Sequence, residues 1–113
     1  DALIVSNHGG RQLDGADSSI AVLPEIVEAV SKDIEIWMDG GIRSGQDILK
    51  AKALGAQGTL IGRSFLYGLG ANGKKGVSKT LEILHTELDK TMELCGHRDI
   101  NNITRDIIRH SPF

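Results

Sequence analysis

The sequence predicts an α/β fold of parallel strand–helix units, and three observations carry that prediction. Short β-rich apolar runs alternate with longer stretches whose apolar residues recur at helical spacing. Each apolar run ends on glycine and polar residues, "SNHGG", "DGG" and "GRS", so every candidate functional loop falls at the C-terminal end of a strand. The 113 residues are 40% hydrophobic and 25% charged, a globular balance that excludes a disordered or collagen-like chain.

The elements follow in order. A first strand is expected over residues 2–6, with a loop at 7–17. Asp17 or Ser18 can cap a helix that carries Ile20, Leu23, Val27 and Val30 on one stripe. Pro24 suits a first helical turn, which places the regular part of this helix near it. A second strand, 34–38, ends on Asp39-Gly40-Gly41. Ser44 with Asp47 three residues later resembles a capping box for a helix that Gly55 closes. The third strand, 58–61, ends on Gly62-Arg63. A glycine-rich connection leads to the longest helix, 77–95, with Leu81, Leu84, Leu88, Met92 and Cys95 on one face. The tail, 97–113, reads as polar and irregular, with one turn around 104–108.

This alternation fits a doubly wound sheet and a (β/α)8 TIM barrel alike. Gathering every loop of interest at one end favours the barrel. A complete barrel takes about 250 residues, so three strands make a partial one. The chain lacks an initiator Met and opens directly into a strand, so a piece of a longer protein is expected.

Composition also limits function. The net charge is −2, no basic patch points to nucleic acid, and aromatics are too few for base-stacking platforms. Cys95 is alone, so no intrachain disulfide forms, which fits a reducing compartment. No apolar run approaches the ~20 residues of a membrane span, and no signal peptide is read. The expected location is cytoplasmic, or peripheral to an inner membrane.

Glycine loops after consecutive strands are where barrels bind phosphate, through backbone N–H groups and a helix N-terminus. Gly41 and Gly62 let an anion approach their amides closely. Arg43 and Arg63 follow them, each a forked and permanently charged donor. Two plainer readings stay open: Gly41 as an ordinary turn glycine, and Arg63 paired with a neighbouring carboxylate. At the first loop, His8 is the one histidine placed at a strand end, and Arg11 follows three residues later. A base near neutral pKa beside a carboxylate clamp suits proton abstraction from a small hydroxy acid. His85 falls inside the long helix, and His97 and His110 in the tail, where surface exposure is expected. Asn7, Gln12 and Asp14 are read as shaping the loop through local hydrogen bonds.

"SNHGGRQLDG", "MDGGIRSGQDILKAKALGA" and "LIGRSFLYGL" resemble the C-terminal signature of the FMN-dependent α-hydroxy-acid dehydrogenase and oxidase family. The likeness runs over almost the whole chain and includes "ELCGHRDINNIT". It implies a (β/α)8 barrel in which residues 1–113 are the C-terminal segment, about strands six to eight with their helices. It further implies FMN-dependent oxidation of an L-2-hydroxy acid, with L-lactate slightly favoured over glycolate or long-chain hydroxy acids. By resemblance His8 is the active-site base and Arg11 holds the substrate carboxylate. The resemblance also implies that Ser6 touches the flavin, that Asp39, Gly40, Gly41 and Arg43 line the ribityl and phosphate end of FMN, and that Gly62 with Arg63 completes the phosphate site. The family's flavin-side lysine, substrate tyrosines and histidine-orienting aspartate lie upstream of this stretch, and Tyr67, which matches neither tyrosine, is expected to pack. The implied partners are the rest of the barrel and further copies of the chain, a tetramer in the family. Alone, the segment is expected to be inactive and poorly folded. Two other readings remain: a phosphate-binding barrel of different chemistry, and a packing module without activity.

Overall fold

The computed structural model describes residues 1–109. Three parallel strands, β1 (Ala2–Val5), β2 (Glu35–Met38) and β3 (Gly58–Thr59), lie side by side in chain order. Ile4 pairs with Trp37, and Trp37 with Gly58. The strands are one to two residues shorter than expected: β1 and β3 stop early where the chain turns into the loops, and β2 starts one residue late.

The crossover helices are α1 (Ser19–Val30) and α2 (Gly45–Ala53). Side chains from both join one core with Val5, Ile36 and Met38 of the strands: Leu23 from α1, Ala51 from α2 and Ile42 from the preceding loop. Leu23, Ile36 and Met38 are fully enclosed, and such burial stabilises by about 1.5–3 kcal/mol per side chain. Alternation then turns Ile4 and Trp37 to the opposite face, where they remain 54% and 36% exposed. One face is dressed and the other bare. This is the organisation of barrel staves, whose inner face is filled by strands from around the ring.

Three expectations are corrected. The first helix begins at Ser19, with Pro24 inside it. Burial of Ser19 and Leu23, with Ile20 and Val22 packed against the core, draws the first turn into helix despite the missing proline amide. Its N-cap is Ser18, and the Ala21 and Val22 amides donate to the Ser18 carbonyl.

The second correction concerns the glycine-rich connection, which is itself helical. The long helix α3 runs Arg63–Leu94 and breaks at Asn72 and Gly73 (φ 52°). Its arms, 63–71 and 74–94, fold back on each other. A Cβ on Gly76 would strike the Gly68 carbonyl, and one on Gly68 would strike the Thr80 hydroxyl. These glycines permit a close helix crossing rather than a flexible link.

Third, the buried face of the long arm is narrower than its apolar stripe. Leu84, Leu88 and Met92 turn inward, whereas Leu81 and Cys95 are exposed. The nine-residue α2 packs against the C-terminal half of that arm, with Gly45 at Glu87 and Leu88 and with Leu49 and Ala53 at Met92.

The tail also carries more structure than its polarity suggests. Ile103 is buried against Leu49, Ala53 and Met92 between two single-turn helices, Ile100–Asn102 and Arg105–Ile107. The Thr104 hydroxyl donates to the Asp106 carboxylate, which holds that carboxyl below its usual range. His85 is exposed beside Asp89, and His97 is half-buried. His110 lies outside the described residues.

Candidate active site

The loop after β1 explains why two glycines follow the histidine. His8, Gly9 and Gly10 have φ of 56°, 67° and 71°, three consecutive left-handed residues. Glycine adopts this conformation freely, and histidine does so at a cost. His8 is the one non-glycine residue with positive φ among the described residues. Backbone bonds close the turn, from the Gly10 amide to the Asn7 carbonyl and from Arg11 to that of His8. The Ser6 hydroxyl accepts from the His8 amide at 3.1 Å, and the Asn7 side-chain amide donates to the Asp17 carbonyl. The local role read for Asn7 is therefore seen, whereas Gln12 and Asp14 are simply exposed. The His8 and Arg11 side chains both face solvent, one turn apart.

After β2, Gly40 and Gly41 again have positive φ, 88° and 79°. Gly40 is tightly placed, since a Cβ there would lie 3.0 Å from the Ser19 hydroxyl and 3.3 Å from Asn7 Oδ1. Gly41 faces open space. The capping box at the start of α2 forms as expected. The Arg43 and Ser44 amides both donate to Asp47 Oδ2, and the Asp47 amide donates to the Ser44 hydroxyl. The Gly45 amide is taken by Glu87 Oε2 at 2.9 Å, from the long arm of α3. The N-terminus of α2 is therefore filled by this chain's own carboxylates.

The N-terminus of α3 differs. Its N-cap is Gly62, no side chain caps it, and the Ser64 hydroxyl turns away to the Ile42 carbonyl at 2.9 Å. The first amides of a helix have no intrahelical partner, so this end presents free donors and the positive pole of the helix dipole. Gly62 has open space around it.

These loops converge on one cleft of about 290 Å³. Gly9, Asp39, Gly40, Gly41, Arg43, Gly62 and Arg63 all line it. The Arg63 guanidinium reaches within 3.8 Å of where a Cβ on Gly9 would stand, which ties the first loop to the third. No carboxylate among the described residues forms an ion pair with Arg43 or Arg63. The reading in which Arg63 neutralises a neighbouring acid is thus set aside. Asp39 Oδ1 is buried without a hydrogen-bond partner, which suits a ligand hydroxyl. Two unpaired guanidiniums, an uncapped helix and open glycines suit a phosphate. Ser6, His8 and Arg11 sit outside this cleft on the adjoining loop.

A family model described as FMN-dependent dehydrogenase matches residues 1–110. The chain belongs to the FMN-dependent dehydrogenase family. Similar family members include 2-hydroxyacid oxidase 1 of Mus musculus, 48% identical over 113 residues, covering all of this chain and 30% of that protein. An L-lactate dehydrogenase of Actinobacillus pleuropneumoniae is 52% identical over 108 residues, 96% of this chain and 28% of its own length. Among solved structures, an (S)-mandelate dehydrogenase superposes with a TM-score of 0.94 at 42% identity, covering 98% of this chain and 31% of that one. A mandelate oxidase variant with a monooxide FMN adduct gives 0.88 at 50% identity, over 92% and 33%. The chain thus spans about 30% of the length of the curated relatives it matches. In this FMN-dependent family it is a partial barrel of three strand–helix units. No described helix is long and apolar enough to cross a membrane.

Proposed function

We propose that this chain is the C-terminal segment of an enzyme that oxidises an L-2-hydroxy acid, L-lactate by preference, to the 2-oxo acid. The observation that carries the proposal is the cleft in which Arg43 and Arg63, free of carboxylate partners, meet the uncapped end of α3. In this reading Arg63, Arg43 and the first amides of α3 hold the phosphate of FMN, and Gly41 and Gly62 leave room for it. Asp39 accepts a ribityl hydroxyl, Gly40 keeps the loop flush against Ser19, and Ser6 stands at the flavin edge. Bound FMN supplies a two-electron acceptor beside the substrate.

His8 then takes a proton from the substrate's hydroxyl or α-carbon, and Arg11 grips the carboxylate through two parallel hydrogen bonds. His8 and Arg11 are both exposed on the one left-handed turn after β1, which supports this reading. The L-lactate preference rests on "GGRQLDG" and "RSFLYGLGANGKKGV", and the 52% identical L-lactate dehydrogenase supports it. The 48% identical 2-hydroxyacid oxidase supports a second reading, in which oxygen is the final acceptor and glycolate or longer acids are substrates. Oxygen consumption during turnover separates the two. We place the enzyme in the cytoplasm or peripherally on a membrane. The (S)-mandelate dehydrogenase described as a monotopic membrane protein supports the peripheral form. The bare strand face and open sheet edges require the rest of the barrel, and we hold to a homo-oligomer for the assembled protein.

Arg63→Ala in the full-length protein tests the phosphate assignment. Each charge-assisted contact is worth about 1.5–3 kcal/mol, so FMN should be lost on dialysis while the apoprotein melts at the parent temperature. Unchanged retention of FMN would remove Arg63 from the site.

A further inference from the structure

We infer that Glu87, on the long arm of helix α3, is a positioning residue for the phosphate end of the cofactor site. The inference rests on the phosphate reading above and extends it to a residue outside the cleft. The loop carrying Gly41 and Arg43 has few bonds of its own to hold it. Arg43 is exposed, and its guanidinium makes no ion pair with any described carboxylate. The loop is held by the buried Ile42 side chain, by the Arg43 and Ser44 amides on Asp47, and by two tethers from α3. The Ser64 hydroxyl binds the Ile42 carbonyl from the short arm, and Glu87 binds the Gly45 amide from the long arm. Because α3 folds back at Asn72–Gly73, its two arms grip the loop on either side of Arg43.

The grip at Glu87 is close because Gly45 has no side chain. A Cβ there would collide with the Leu88 amide nitrogen and the Glu87 carbonyl carbon, so the two helices touch backbone to backbone. The side-chain oxygen also occupies the Gly45 amide at the N-terminus of α2, beside Asp47. Anion binding is thereby directed to α3, whose N-terminus has no side-chain cap. Glu87 thus sets both where Arg43 stands and which helix end receives the phosphate.

The test compares FMN with riboflavin, which lacks the phosphate, on the full-length apoprotein. Glu87→Ala removes the tether, and FMN affinity should fall about 10-fold, the low end for a hydrogen bond to a charged group. Riboflavin affinity should stay within twofold. Glu87→Gln keeps an acceptor oxygen and removes the charge, so FMN affinity should return to within about threefold of the parent. Equal losses for FMN and riboflavin in Glu87→Ala would overturn the inference, since general loosening affects both ligands. Failure of Glu87→Gln to restore FMN binding would also overturn it. So would parental FMN affinity in Glu87→Ala. Arg63→Ala is measured in parallel. If it spares FMN, the phosphate reading itself fails. If it discriminates FMN from riboflavin and Glu87→Ala does not, only the role of Glu87 fails. Should Glu87→Ala not fold, Glu87→Gln against parent still gives the FMN to riboflavin ratio, and a ratio shifted against FMN by more than about threefold contradicts the inference.

Discussion

Replacing His8 with Gln in the full-length protein should slow flavin reduction by about 10²–10⁴-fold, the span of general-base catalysis. Oxalate binding should change little, because the carboxylate contact through Arg11 survives. The backbone supplies a control. His8 sits at φ 56°, a region that Asn enters far more readily than Gln. His8→Asn should therefore lose the same rate without loss of stability, whereas His8→Gln, which enters this region less readily than either His or Asn, should melt slightly lower. Arg11→Lys should behave oppositely to both, weakening oxalate sharply because an ammonium cannot reproduce the planar fork. Rapid-mixing bleaching of the flavin, with oxalate titration and a melting curve, reads all three. Parental flavin reduction in His8→Asn would make His8 a turn residue and end the mechanism.

Gly45→Ala is expected to give the largest loss of stability of any glycine change near the site. A methyl group there meets backbone atoms of Glu87 and Leu88, which cannot rotate aside. Overpacking of this kind costs about 1–3 kcal/mol, or roughly 2–4 °C of melting temperature per kcal/mol in a large domain. Gly62→Ala should behave differently. Nothing lies within 4 Å of its Cβ position, so the packing should be untouched. The methyl would nevertheless stand where an anion approaches the helix end, and FMN should bind less tightly. Thermal melts of the apoproteins with FMN titrations separate the two effects. Equal melting temperatures would mean that α2 and α3 do not meet at Gly45.

Much of the site was legible because its signals are local. A strand that ends on glycines and arginine presents its groups within a few residues, so Asp39, Gly40, Gly41, Arg43, Gly62 and Arg63 stand out in the sequence as candidates, and all line one cleft. The Ser44–Asp47 capping box was legible for the same reason. Glu87 was not, because its partner amide lies 42 residues away and a glutamate on an amphipathic helix looks like any solvated one. Gly68 and Gly76 were misread as a linker, since a helix crossing and a flexible connection use the same residue. Pro24 was misread as a helix start, because propensity knows nothing of the core that Leu23 completes.

By itself the sequence determined the alternation of strands and helices, the end of the sheet where chemistry collects, and the types of group available there. Those follow from periodicity and from the fixed properties of glycine, histidine and arginine. Only the tertiary structure decided which helix end stays open to an anion. That choice depends on where Asp47 and Glu87 place their charges, and a long-range contact has no signature in local spacing. It likewise decided that the two arginines stand unpaired beside the same cleft, because pairing is a property of distance between loops and not of order along the chain.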